Sequence, residues 1–273
     1  MTTTPTLAGR TACVTGASSG MGRSIAEHLG ALGVHVFLAG RTTDEMVASA
    51  GRIASAGGRA EVDTFDLTDL DRLRAWIDGA ATSTGRLDVL VNSAGFGDFG
   101  SIVGGDPQVW RGMLEVNVLA VAVGCQAAVG AMRRTGSHGN IINVSSTATL
   151  RRDSGFYGAT KYAVNCINST LRQELEDDTI RVTALIPGVF ASNFSRHGDP
   201  SRIVARADAA GLTDLRLDDS FRLTPDQIVR IQAALPTTLG DTTHIARAVE
   251  YVVSLPIELN VEELVIRPQK SLF

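Results

Sequence analysis

The sequence predicts a three-layer α/β domain, with helices on both faces of a doubly wound parallel sheet of about seven strands. Three observations carry this expectation. Short β-branched runs alternate with longer segments of helical period along most of the chain. The runs TACVT, VHVFL, LDVLV and NIINV are apolar throughout, as strands buried on both faces must be. Strands joined by helices need right-handed crossovers, which makes the sheet parallel.

In chain order the predicted strands are 11–15, 34–38, 60–64, 87–91, 140–144, 181–186 and 263–267. The predicted helices are 22–32, 44–56, 70–81, 107–133, 156–175 and 243–255. No linker, repeat or low-complexity tract divides the chain, so residues 1–273 read as one domain. A chain of 273 residues buries roughly three quarters of its unfolded surface. The polar segment 195–240 breaks the alternation, with weak helical periods over 199–209 and 225–234. So long a segment in a compact domain suggests a substrate lid; the alternative is a surface helix pair.

Bulk properties remove several classes of function. The net charge is −4 with acids and bases interspersed, which gives no surface for a nucleic acid backbone. The three cysteines, Cys13, Cys125 and Cys166, are far apart and include no C-x-x-C pair. That argues against a disulfide framework or a metal site and suits a reducing cytoplasm. The start MTTTPTLAGR lacks an apolar signal core, and the apolar tract from Val118 to Met132 is too short to cross a bilayer. No membrane association is expected.

The first strand runs into Thr15-Gly16-Ala17-Ser18-Ser19-Gly20-Met21-Gly22 and then a helix. Glycines here permit a tight turn and close approach to a pyrophosphate, and free amides at a helix start favour anionic oxygens. The second strand ends Gly40-Arg41-Thr42. A site for NAD places an acid near here for the ribose 2′-hydroxyl, whereas Arg41 suits a 2′-phosphate and so NADP(H). Asp66, followed by Leu67, can meet the adenine amino group or cap the helix starting near Asp69. After the fourth strand, Asn92, Ser93, Ala94 and Gly95 let the chain pass close to a cofactor.

Tyr157 and Lys161 lie four apart at the start of a predicted helix and therefore share a face. A free phenol with a pKa of about 10 exchanges protons poorly near neutrality, and a neighbouring ammonium together with the positive nicotinamide of an oxidised cofactor is expected to lower that value. Strand five ends Asn143-Val144-Ser145-Ser146, which sets hydroxyls at the edge of the sheet where ligands bind. Asn117 interrupts an apolar helix and needs hydrogen-bond partners there.

Taken together, TGASSGMG, DLT, NSAG, the Asn117 helix, NVSS, YGATK and Pro187-Gly188-Val189 resemble the compact branch of the short-chain dehydrogenase/reductase family, over residues 8–193. The resemblance implies a Rossmann-like fold and hydride transfer between NADP(H) and a carbonyl or alcohol, without metal. It implies that Tyr157 is the general acid or base and that Lys161 lowers its pKa and binds the nicotinamide ribose. Ser146 would orient the substrate oxygen, and Asn117 would hold a relay water. Pro187, Gly188, Val189 and Ser192 would line the nicotinamide. Ser146 stands 11 positions before Tyr157 where the family has 13, so Ser145 is the alternative serine. A non-catalytic NADP(H)-binding regulator is the rival reading.

The tail LNVEELVIRPQ is similar to a subgroup acting on serine and other 3-hydroxy acids; the other substrate class is a bulkier hydrophobic ketone. Arg151, Arg152 and Arg196 are candidates to meet a substrate carboxylate. The resemblance also implies a homo-oligomer, tetramer or dimer, packed through the helices bearing Asn117 and Tyr157.

Overall fold

Seven strands form one parallel sheet in the order β3-β2-β1-β4-β5-β6-β7. In this computed structural model residues 6–194 and 201–270 are described, residues 201–203 by their backbone alone. The elements are β1 (Thr11–Thr15), α1 (Gly20–Ala31), β2 (His35–Gly40), α2 (Thr43–Ser55), β3 (Arg59–Thr64), α3 (Leu70–Thr84) and β4 (Val89–Asn92). There follow α4 (Pro107–Leu114), α5 (Ala120–Thr135), β5 (Gly139–Val144), α6 (Gly155–Glu174) and β6 (Ile180–Pro187). The chain ends with α7 (Ser201–Ala209), α8 (Pro225–Ala234), α9 (Thr242–Ser254) and β7 (Glu263–Ile266).

Burial explains the strand sequences. Every residue of β1, β4 and β5 is buried, whereas edge strands β3 and β7 contain exposed positions and carry charged residues. One apolar layer joins the sheet to α3, α5 and α6 through Leu73, Ile77, Ala128 and Val164. The other joins it to α1, α2 and α9 through Ile25, Leu29, Ile53 and Val249. Strand order reverses between β1 and β4, so the segments leaving those strands diverge at their carboxyl ends and open a crevice.

Two expectations need correction. The helix predicted over 107–133 is interrupted by a π turn at Glu115–Leu119. Asn117, wholly buried in that turn, bonds outside its own helix: Nδ2 donates to Phe96 O at 2.8 Å and Thr160 Oγ1 at 3.1 Å. Its Oδ1 accepts from Phe96 N at 3.1 Å. Such partners are what widens a turn at a functional position. Second, the helical run Pro107–Thr135, π turn included, is longer than the apolar tract read from the sequence and passes, by length and composition only, as long enough to span a bilayer. Here Met113, Val121, Cys125 and Met132 on that run belong to the core.

The segment 195–240 has a small core of its own. Ala207, Leu215, Leu223 and Ile231 are buried together, with Leu212 and Ile228 packed around them. Pro225–Ala234 is helical as the sequence predicts, and Thr224 and Gln227 form its capping box. Several bonds fasten this unit to the rest of the fold, among them Lys270 N donating to Thr237 O at 2.8 Å. Asn193 exchanges two hydrogen bonds with the Leu223 backbone, at 2.9 and 2.8 Å, and Phe190 pairs with Gly240.

Candidate active site

The glycine turn after β1 occupies the crevice. Gly16 adopts φ 67°, and a Cβ there would lie 2.8 Å from the Ala94 backbone; a Cβ on Gly22 would lie 2.4 Å from Gly16 O. Both contacts are too close for any side chain, so α1, the turn and the segment after β4 are held together by the lack of one. Ser19 is the N-cap of α1 yet makes no capping bond among the described residues, and no acid stands in the first turn. The leading amides are therefore left to an anion. Ser192 packs over Gly20, whose added Cβ would sit 3.1 Å from Ser192 Cβ.

At the end of β2, Gly40 faces Met46 and Ser18, and Arg41 is exposed. Thr42 is the N-cap of α2 without a side-chain bond among the described residues. Arg23, which sequence reasoning overlooked, reaches back from α1 to Ser18 O and pairs with Glu45 beside this end of the crevice. Asp66 does not cap α3. Its Oδ1 accepts from Thr68 N at 3.0 Å and Thr68 Oγ1 at 2.9 Å, while Asp69 caps the helix through Arg72 N. The Thr68 amide, with lesser help from the Thr68 hydroxyl and Arg41, holds the Asp66 carboxyl below its ordinary range despite partial burial. Leu67 packs into the core.

Asn92 is the clearest correction on the cofactor side. Its amide is buried and donates to Asn143 Oδ1 at 2.8 Å rather than facing the crevice. Asn143 Nδ2 in turn donates to Asn168 Oδ1 at 2.6 Å, and Cys125 joins the cluster at 3.3 Å. Burial keeps that thiol protonated, its pKa pushed up to about 12. This chain of amides ties β4 and β5 to α6. Asn143→Ala strands a donor and an acceptor in the interior, so it should cost about 2–5 kcal/mol in urea unfolding; a loss below about 1 kcal/mol would show the network to be incidental.

Tyr157 and Lys161 project from the first turns of α6 toward the same edge, with Lys161 Nζ 5.9 Å from the Tyr157 ring centroid. Ser146 lies close enough to the Tyr157 phenol to pull its pKa downward. The loop between them winds into a 3-10 turn at Thr147–Leu150, capped by Ser146 Oγ accepting from Ala148 N at 3.1 Å. That winding lets a shorter loop still deliver the serine. Ser145 is turned instead toward the α6 backbone, donating to Lys161 O at 3.4 Å. Lys161 Nζ donates to Val144 O at 2.8 Å.

The electrostatics depart from the sequence expectation. Burial pushes the Tyr157 phenol up to about 12, against a smaller pull downward from Ser146. Burial also pushes the Lys161 ammonium down to about 8. Both groups are removed from water, and desolvation is the largest influence on each. Asn117 differs too: both amide protons and its oxygen are engaged by Phe96 and Thr160, so its side chain fastens the loop after β4 to α6.

Ser146, Tyr157 and Lys161, but not Asn117, share a cavity of about 580 Å³ with Met21, Gly95, Pro187, Gly188, Val189 and Ser192. Further lining comes from Phe99, Phe194 and Arg206, none of them singled out in the sequence. Arg151 lines it as well, paired with Asp153 at 2.9 Å; Arg152 is exposed, and Arg196 lies outside the described residues. Among the described residues, no group of three His, Cys, Asp or Glu is placed to hold a metal ion.

A model of the short chain dehydrogenase family matches residues 10–201. The chain belongs to the short-chain dehydrogenase/reductase family. An uncharacterized oxidoreductase of Staphylococcus saprophyticus is 35% identical to this short-chain dehydrogenase, over 70% of this chain and 82% of its own. The dehydrogenase/reductase SDR family member 11 of Gallus gallus is 29% identical, over 97% and 98%. The crystal structure of a metagenomic short-chain oxidoreductase in complex with NADP has the same fold, with a TM-score of 0.74 at 28% identity, covering 97% of this chain and 99% of that one. The seven-stranded Rossmann-like sheet is thus the family's, and the chain is an oxidoreductase of that family.

Proposed function

We propose that this chain interconverts a carbonyl compound and an alcohol with NADP(H), using Tyr157 as the proton donor in reduction and acceptor in oxidation. The observation that carries the reading is convergence. The Ser146–Tyr157 pair, Lys161 and the segment Pro187–Val189 all face one cavity, and Met21 joins them from the glycine turn. The glycine cradle and uncapped α1 amides fit a pyrophosphate, and the NADP bound to the metagenomic oxidoreductase supports the same cofactor here. When bound, the nicotinamide supplies or accepts the hydride.

The chain's own residues do the rest. Ser146 and Tyr157 offer two hydroxyls to one substrate oxygen, which orients the carbonyl and polarises it. Tyr157 then releases its proton to that oxygen. Lys161, fixed by Val144 O, keeps a positive charge near the resulting phenolate at neutral pH. Asn117 positions the loop carrying Gly95, whose added Cβ would sit 3.5 Å from Lys161 Nζ.

Arg41 supports NADP(H) over NAD(H). Absorbance at 340 nm with NADPH and a panel of aldehydes and ketones tests the reaction, and NADH in parallel tests the cofactor. Arg41→Ala should raise KM for NADPH by roughly 10–100-fold, the worth of a charge-assisted phosphate contact, and leave KM for NADH nearly unchanged. An enzyme already preferring NADH would overturn the cofactor assignment. Self-association through α4–α6 is supported by Leu114, Leu119 and Tyr162, which leave apolar surface exposed there; light scattering reads it.

A further inference from the structure

Three aromatic rings from three separate segments meet over the reacting centre. Phe99 comes from the segment after β4, Tyr157 from α6 and Phe194 from the segment after β6. Phe99 lies 5.1 Å from Tyr157 at 63°, Phe194 lies 5.6 Å from it at 60°, and the two phenylalanines are 6.3 Å apart at 66°. These tilted and edge-on contacts are the arrangement that aromatic quadrupoles favour. They leave the Tyr157 side chain almost wholly covered, while Phe99 itself is 50% exposed.

The backbone is shaped to this cluster. A Cβ on Gly97 would lie 2.9 Å from Tyr157 Cδ2 and 3.1 Å from Phe99 Cζ, so the segment can press against the tyrosine only because that position has no side chain. An apolar ring left half in water beside a reactive hydroxyl is surface that a ligand can cover.

Charge points the same way. Apart from Lys161, the cavity is lined by two arginines, Arg151 and Arg206, and two aspartates, Asp98 and Asp153. Arg151 is held by both oxygens of Asp153. The walls next to the phenol are Phe99 and Phe194, so a small carboxylate-bearing substrate would set its charge against aromatic rings.

We propose that Phe99 and Phe194 form an aromatic wall that selects a ketone or secondary alcohol whose reacting carbon lies within or beside a fused ring system. This deepens the carbonyl-reductase reading and rests on Tyr157 as proton donor. The substrate ring lies against the outer face of this wall and covers the exposed half of Phe99. Its carbonyl oxygen reaches Ser146 and Tyr157.

The test compares kcat/KM of the full chain with NADPH toward 2-tetralone, butanone and acetoacetate. Tetralone should exceed both others by at least about tenfold, since apolar pocket contacts discriminate by roughly 10–200-fold. Phe99→Ala and Phe194→Ala should each lower the tetralone-to-butanone ratio about tenfold or more, mainly through KM, and Phe99→Tyr should restore it. Such a ratio does not depend on how much of the variant is folded. Butanone or acetoacetate reduced as well as tetralone, or a ratio that survives both alanine variants, overturns the aromatic wall while carbonyl reduction stands. No turnover of any carbonyl by wild-type protein that binds NADPH overturns the reading beneath it.

Discussion

Tyr157→Phe should lower kcat for carbonyl reduction by about 10²–10⁴-fold, the usual worth of a positioned acid, and leave NADPH affinity unchanged. The substitution removes one oxygen and keeps the ring between Phe99 and Phe194, so the fold and the aromatic contacts persist. Ser146 keeps one hydroxyl on the substrate oxygen but has no proton to pass on at comparable ease. The pH profile carries the same information. With the phenol pushed up to about 12 by burial, the acid form is available throughout neutrality, whereas alcohol oxidation needs the phenolate and should accelerate as pH rises. Equal rates for wild type and variant in reduction would remove Tyr157 from the mechanism.

Lys161→Met should cost about 10²-fold or more in kcat and, at the same time, change how stability depends on pH. The folded ammonium titrates near 8, below its ordinary 10.5. Between those values the unfolded chain holds a proton that the folded chain has released, so wild-type stability rises with pH across that window. The penalty is therefore full below about pH 8 and fades toward 10.5. Its size is at most about 3 kcal/mol, because 1.36 kcal/mol accompanies each tenfold change in proton affinity. Methionine carries no such penalty, so urea midpoints of wild type and variant should move relative to one another from pH 7 to pH 10, with wild type gaining. Parallel midpoints over that range would mean that the buried amine is not paying this cost of desolvation.

The sheet was legible because burial on both faces writes itself as apolar runs, and helices between such runs leave one topology. Strand bounds fell within two residues of their predicted places, and the capped helix Pro225–Ala234 was read outright. The glycine turn and the Tyr157–Lys161 pair were legible because each depends on local spacing. Other features depend on partners remote in sequence. Asn117 gave no sign that Phe96 and Thr160 would hold it in a π turn, and Asn92 gave none that Asn143 would take its side-chain amide. Phe99, Phe194 and Arg206 lie in segments with little or no periodic signal, where an aromatic or a cation reads as ordinary surface. Only tertiary contact makes them walls. The upward push on the phenol was hidden for a related reason: spacing reveals the neighbouring charge but not the depth at which both groups are buried.

The unit spanning Ala207 to Leu239 packs around its own apolar residues and is stitched on by Asn193 and Gly240. Its replacement by another self-contained cap would leave the layers around the sheet undisturbed. Descent can thus refashion what such a scaffold accepts without re-inventing how it reacts, and a designer can graft at the same stitches, with the Thr237–Lys270 bond kept.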